Sequence, residues 1–259
     1  MGKITKISAV LMLMLPLTIK SIDCTTVFAH GLGGDSSQGN YYHVASGIHY
    51  ACIEGKLVTF NFTDAGNPTT SCLGQDADIS ALHKVCKDLE NVILFGCSRG
   101  AATIANYLGT HQLQNISAAI LESPFDRVDS IVKKLNGQES IPLITPAMYP
   151  NYDPKGIAPI DVADKISHSI PILLIASKQD ALIDYTSTVN LYNKIVASGH
   201  PHAYLLVTER GRHANILFDR DGNSVRSVIH AFYKAHNLPH NATWAREGQT
   251  RFEQCKNKK

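Results

Sequence analysis

The sequence carries little excess of either charge. Its 259 residues hold 24 lysines and arginines against 22 aspartates and glutamates, a net charge of +2. So even a balance excludes an electrostatic nucleic-acid binder, whose footprint is a basic face. Long apolar runs are also missing: past the N-terminus no stretch reaches the roughly 18 apolar residues that a spanning helix needs. No two of the six cysteines have C-x-x-C spacing, which argues against a zinc ribbon or a thioredoxin-like motif. No glycine loop has the form G-x-G-x-x-G or ends in G-K-S/T, so a nucleotide-phosphate cradle is not indicated. Internal repeats and low-complexity tracts are absent. With 44% hydrophobic and 18% charged residues, the chain is a globular protein rather than a disordered one. Its length fits a single domain.

The two ends differ from the middle. Lys3 and Lys6 precede an apolar run from Ile7 to Ile19, closed by Lys20. This reads as a secretory signal peptide over residues 1–23, although no A-x-A-like cleavage triplet precedes Cys24. An uncleaved N-terminal membrane anchor is the alternative. The expected location is therefore exported, with membrane association only through this segment. An even number of cysteines permits disulfides in an oxidising compartment. Cys52 and Cys72 bracket a strand and its loop and are the best-placed pair, whereas Cys97 is expected as a buried free thiol. Asn61, Asn115 and Asn241 head glycosylation patterns that matter only in a eukaryotic secretory pathway. Residues 237–259 are polar and basic and are expected to form a solvated tail.

Between residues 24 and 236 short apolar runs alternate with helical patterns. Strands are predicted at Thr25–Ala29, Leu57–Phe62, Asn91–Phe95, Ser117–Leu121, Pro171–Ala176 and Ala203–Thr208. Several are apolar at consecutive positions, as in strands covered on both faces. Helical patterns fall at Asp76–Leu89, Ala101–Leu108, Thr188–Val196 and Ser224–His236. Such alternation implies a mostly parallel sheet with helices on both faces. Residues 126–170 break the rhythm, with prolines at 142, 146, 150, 154 and 159. An insertion of this length reads as a small cap over a functional site.

The strongest chemical signal is Gly96-Cys97-Ser98-Arg99-Gly100, set between a predicted strand and a predicted helix. G-x-S-x-G in that context is a sharp elbow that presents Ser98 at the top of the sheet, beside the positive end of a helix. The loop His30-Gly31-Leu32-Gly33-Gly34 follows the first strand. It can bring the Leu32 N–H beside the Arg99 N–H to form an oxyanion hole. A serine so placed needs a base and an orienting carboxylate, in chain order Ser, Asp/Glu, His. Among the 12 histidines, His213 lies in the loop after the last strand. His200 and His202 precede that strand, and His230 is on a helix. Asp180 follows the strand Pro171–Ala176, at the sheet edge where active-site groups gather. Asp184, four residues on, competes for the same role, and Asp126 is a third candidate. The Arg99 side chain either reaches the pocket mouth or is solvated at the helix start.

Taken together, His30–Gly34, Gly96–Gly100, Asp180 and His213 resemble the α/β-hydrolase superfamily over about residues 24–236. Glu122-Ser123-Pro124-Phe125 and the run Lys178–Asp184 resemble its peptidase-like and depalmitoylase-like branch, in which the first of two such aspartates is the acid. That favours Asp180. The family's usual first two strands are absent, which implies a reduced sheet of about six strands. The resemblance implies hydrolysis of an ester or thioester through an acyl-enzyme on Ser98, with Asp180 and His213 assisting and no metal or cofactor. The substrate would be a small molecule or an acylated or peptide group. A peptidase on the same fold and a non-catalytic binding protein are the alternatives.

Overall fold

In the computed structural model, the described residues are 23–43, 52–64, 67–133, 141–142 and 147–256. Residues 1–22 of the predicted signal segment lie outside them. The chain runs β1 (Thr25–Ala29), a 3-10 helix (Ser36–Tyr42), β2 (Lys56–Thr59), α1 (Asp76–Cys86), β3 (Val92–Cys97), α2 (Arg99–Thr110) and β4 (Ile116–Glu122). A two-residue antiparallel pair follows, β5 (Val132–Lys133) with β6 (Ile141–Pro142), then α3 (Pro159–Val162). The rest comprises β7 (Ile172–Ser177), α4 (Tyr185–Ala197), β8 (Ala203–Thr208), α5 (Gly222–Ala235) and α6 (Ala242–Glu253). Six strands form one sheet in the order β2-β1-β3-β4-β7-β8, and every pairing is parallel.

Successive strand residues point to opposite faces, which divides the core in two. Val27, Leu94, Leu121, Leu174 and Leu205 pack with Leu82 of α1, Ile104 and Leu108 of α2 and Leu191 of α4. Phe28, Phe95, Ile120, Ile175 and Leu206 pack on the other face with Val228 and Phe232 of α5 and Phe252 of α6. All six residues of β3 and of β7 are buried, which explains their unbroken apolar runs. From β2 the chain returns to the far side of β1, so strand order reverses there. The loops leaving the C-terminal ends of β1 and β3 diverge around the resulting crevice.

Two expectations need correction. The C-terminal segment is not a solvated tail. Asn241 caps α6 by accepting from Thr243 N at 3.0 Å and Trp244 N at 3.1 Å. Ala245, Gly248 and Phe252 are buried. Gly248 permits the close crossing with α5, because a Cβ there would stand 1.9 Å from the Ser227 carbonyl oxygen. Leu205 N donates to Cys255 O at 3.1 Å, so the end of the chain covers the edge strand β8. The signal was weak because only three of the twelve helix positions are buried.

The Cys52–Cys72 bridge is also absent: all six cysteines are buried free thiols. Cys52 sits in the core beneath α5, whereas Cys72 lies beside Asp78.

Of the 126–170 segment, residues 134–140 and 143–146 lie outside the description. Its described part contributes Val128, Ile131, Tyr149 and Tyr152 to an apolar cluster with Leu73, Phe125 and Ile183. No described helix is long and apolar enough to cross a membrane.

Candidate active site

Ser98 occupies the turn between β3 and α2 with φ +52° and ψ −118°, a conformation that L residues rarely adopt. Its neighbours make this turn possible. A Cβ on Gly100 would stand 2.0 Å from the Ala29 carbonyl oxygen, so α2 can start against β1 only with glycine there. Ser98 N donates to the Glu122 carbonyl at 2.8 Å, tying the turn to β4.

His213 is brought to Ser98 by the loop after β8. Its Nε2 is 2.8 Å from Ser98 Oγ and its Nδ1 is 2.7 Å from Asp180 Oδ2. A carboxylate only accepts, so Nδ1 carries the proton and Nε2 is free to accept from the serine hydroxyl. Asp180 is 2% exposed at its side chain and His213 17%. The other oxygen of Asp180 accepts from Leu182 N and Ile183 N, both at 2.9 Å, so the carboxylate cannot swing away. Serine, imidazole and carboxylate thus form one hydrogen-bonded chain.

The competing aspartates lie elsewhere. Asp184 caps α4, accepting from Thr186 N at 2.9 Å. Asp126 binds Ser187 Oγ and Asn190 Nδ2 on that same helix.

Leu32 and Arg99 both line a cavity of about 190 Å³ in front of Ser98. As the first residue of α2, Arg99 has one of the N–H groups that lack an intrahelical acceptor. The Leu32 loop is held by Gly31 N donating to Gln38 Oε1 at 2.9 Å and Gly34 N to Gly31 O at 3.2 Å. His30, at its base, takes the Phe62 N–H on Nε2 at 3.3 Å and so donates from Nδ1 to Gly31 O at 2.8 Å. Burial lowers its pKa and keeps it neutral. The remaining cavity wall is apolar, built from Leu73, Phe125, Ile131, Tyr149, Leu182 and Ile183.

Neither expectation for the Arg99 side chain holds. It is 1% exposed, ion-paired with Asp64, 3.8 Å from Asp78, and donates to Ser71 Oγ at 2.7 Å. Its guanidinium lies 4.4 Å from the centre of the Phe62 ring. The charge is therefore turned away from the cavity and neutralised in the interior.

This six-strand parallel sheet has solved counterparts. The esterase Pf2001 of Pyrococcus furiosus is similar, with a TM-score of 0.58 over 82% of this chain and 83% of that one at 19% identity. A monoacylglycerol lipase of Paleococcus ferrophilus is similar too, with a TM-score of 0.59 over 82% and 94% at 16% identity. The fold is that of the α/β-hydrolases. In sequence, the uncharacterized protein YqkD of Bacillus subtilis is 29% identical over 184 residues, 65% of this chain. The match spans 57% of the length of that curated relative. No family profile matches the chain.

Two groups near this site carry no motif in the sequence. Asp64 and Asp78 hold Arg99 from a loop and helix of no recognisable motif. Glu122 was noted only as part of Glu122–Phe125, yet it is fully buried at the end of β4. Burial pushes its pKa up to about 7, against the opposing effect of bonds from Ile216 N and Tyr42 Oη.

Proposed function

We propose that the protein is a serine hydrolase that cleaves carboxylic esters or thioesters through an acyl-enzyme on Ser98. The observation that carries this reading is the unbroken chain from Ser98 Oγ through His213 to Asp180, at 2.8 and 2.7 Å, opening on the cavity. His213 Nε2 takes the hydroxyl proton as Ser98 Oγ attacks the substrate carbonyl. The developing oxyanion is held by the N–H groups of Leu32 and Arg99, each worth roughly 10²–10³ in rate. Asp180 keeps the imidazole in the required tautomer and stabilises the imidazolium. Collapse expels the alcohol or thiol, which receives the proton from His213. Water then gives a proton to His213 and attacks the acyl carbon, releasing the acid and restoring Ser98.

The cavity wall favours an acyl chain over a charged or peptide group. Its side chains are mainly aliphatic and aromatic, and the one cationic residue among its described lining, Arg99, is committed to Asp64. The described part of the segment 126–170 lends Ile131 and Tyr149 to that wall, in keeping with a cap.

The test is labelling of the purified protein with a fluorophosphonate, followed by peptide mapping. One adduct on Ser98, lost in His213→Ala, is expected, and turnover should then favour esters or thioesters over peptides. A folded protein that takes no adduct at Ser98 would end this reading.

A further inference from the structure

Glu122 links the two halves of the site. Its backbone carbonyl accepts from Ser98 N at 2.8 Å, and its side-chain Oε1 accepts from Ile216 N at 3.0 Å. Ile216 lies three residues beyond His213 and opens a 3-10 turn, Ile216–Phe218, so its N–H has no acceptor within the turn. Between them, Asn215 N donates to Arg212 O at 3.1 Å and closes the backbone around His213. Ala214 takes φ +48°, so this short loop is held in a backbone form that is costly for alanine. The second carboxylate oxygen accepts from Tyr42 Oη at 3.1 Å. Glu122 and Ile216 are both 0% exposed, so no water replaces either bond without opening the core.

We infer that Glu122 is a positioning residue: its carboxylate clamps the Ile216 peptide to the end of β4 and so holds His213 in reach of both Ser98 and Asp180. This rests on the serine-hydrolase reading above. The clamp depends on reach and on an acceptor oxygen. It does not depend on charge, since a carboxamide oxygen accepts from a backbone N–H equally well and its NH₂ can donate to Tyr42 Oη.

Two conservative variants separate reach from charge. Glu122→Gln keeps the length and the acceptor and removes the charge. Glu122→Asp keeps the charge and falls one methylene short of Ile216 N. Circular dichroism confirms that both are folded, and fluorophosphonate labelling of Ser98 and hydrolysis of a small p-nitrophenyl ester are then measured. With the clamp intact, Glu122→Gln labels within about tenfold of wild type. Glu122→Asp loses on the order of 10²-fold in labelling rate and kcat, the scale of a 1 Å misplacement, with KM little changed because the cavity wall is untouched. Labelling of Glu122→Asp at the wild-type rate, or equal losses in both variants, would overturn the inference while leaving Ser98 established. A wild type that takes no adduct removes both.

Discussion

The Arg99 guanidinium and the Asp64 carboxylate form an ion pair with their side chains only 1% and 4% exposed. The pair lies one residue from Ser98 and fastens the start of α2 to the loop after β2. Removing one partner leaves a buried charge, partly answered by Asp78 at 3.8 Å. Asp64→Ala is therefore expected to cost about 3 kcal/mol in urea unfolding. The triple variant Arg99→Met, Asp64→Leu, Asp78→Asn removes every charge of the cluster, keeps an acceptor for Gly74 N, and should recover most of that loss, because well-packed neutral groups often replace buried ion pairs without penalty. Failure to recover would mean that the pair does more than neutralise itself.

Asp180 and Asp184 make opposite predictions although they are four residues apart. Asp180→Asn should leave the fold intact and lower kcat by about 10⁴-fold, because the carboxamide no longer imposes the imidazole tautomer. Asp184→Ala removes the cap on Thr186 N and should cost about 1 kcal/mol of stability while hydrolysis proceeds at its normal rate. Ester assays beside thermal unfolding of the two variants distinguish these outcomes.

What was legible in the sequence was local. Gly96–Gly100 announces its turn because a serine at φ +52° needs small neighbours, and β3 and β7 announce themselves because burial on both faces leaves apolar runs. Asp180 and His213 could be placed from their positions just past strand ends. The partners of Arg99 could not, since Asp64 and Asp78 reach it only after the chain between β2 and α1 has folded over α2. The bond from Glu122 to Ile216 spans 94 residues and has no motif. Helix α6 was missed because its buried face is mostly small residues, with the close approach at Gly248 replacing an apolar stripe.

Glu122 also predicts a pH dependence of stability. Tyr42, Cys52, Cys97, Asp180 and His213 all face it, and burial raises its pKa from 4.5 to about 7. An acid with a raised folded pKa binds its proton more tightly in the native state. Its contribution to stability is thus complete below about pH 4.5 and is lost as pH rises through 7. The loss amounts to roughly 3 kcal/mol across that window. Glu122→Gln has no proton to lose there. Its stability relative to wild type should rise by up to that amount between pH 4.5 and 8, measured by urea unfolding at each pH. A constant difference across the range would show that the carboxyl is not titrating there.

On the proposed ester-hydrolase reading, the cavity before Ser98 would set the length of acyl chain accepted. Ile131 and Ile183 close its inner wall, at 5% and 3% exposure, while Leu182 at 41% exposure stands at its mouth. Truncating Ile131 to alanine deepens the cavity by three carbons without touching Ser98, His213 or Asp180. Each further methylene buried there contributes about 0.8 kcal/mol, or roughly fourfold in kcat/KM. The preferred p-nitrophenyl ester should therefore lengthen by about two or three carbons in Ile131→Ala. Leu182→Ala at the mouth should weaken long and short chains alike, since both pass it. A series of esters from acetate to decanoate, assayed on the three proteins, reads this out. An unchanged optimum in Ile131→Ala would place the acyl chain outside this cavity, and the wall that binds it would have to be sought on the far side of Ser98.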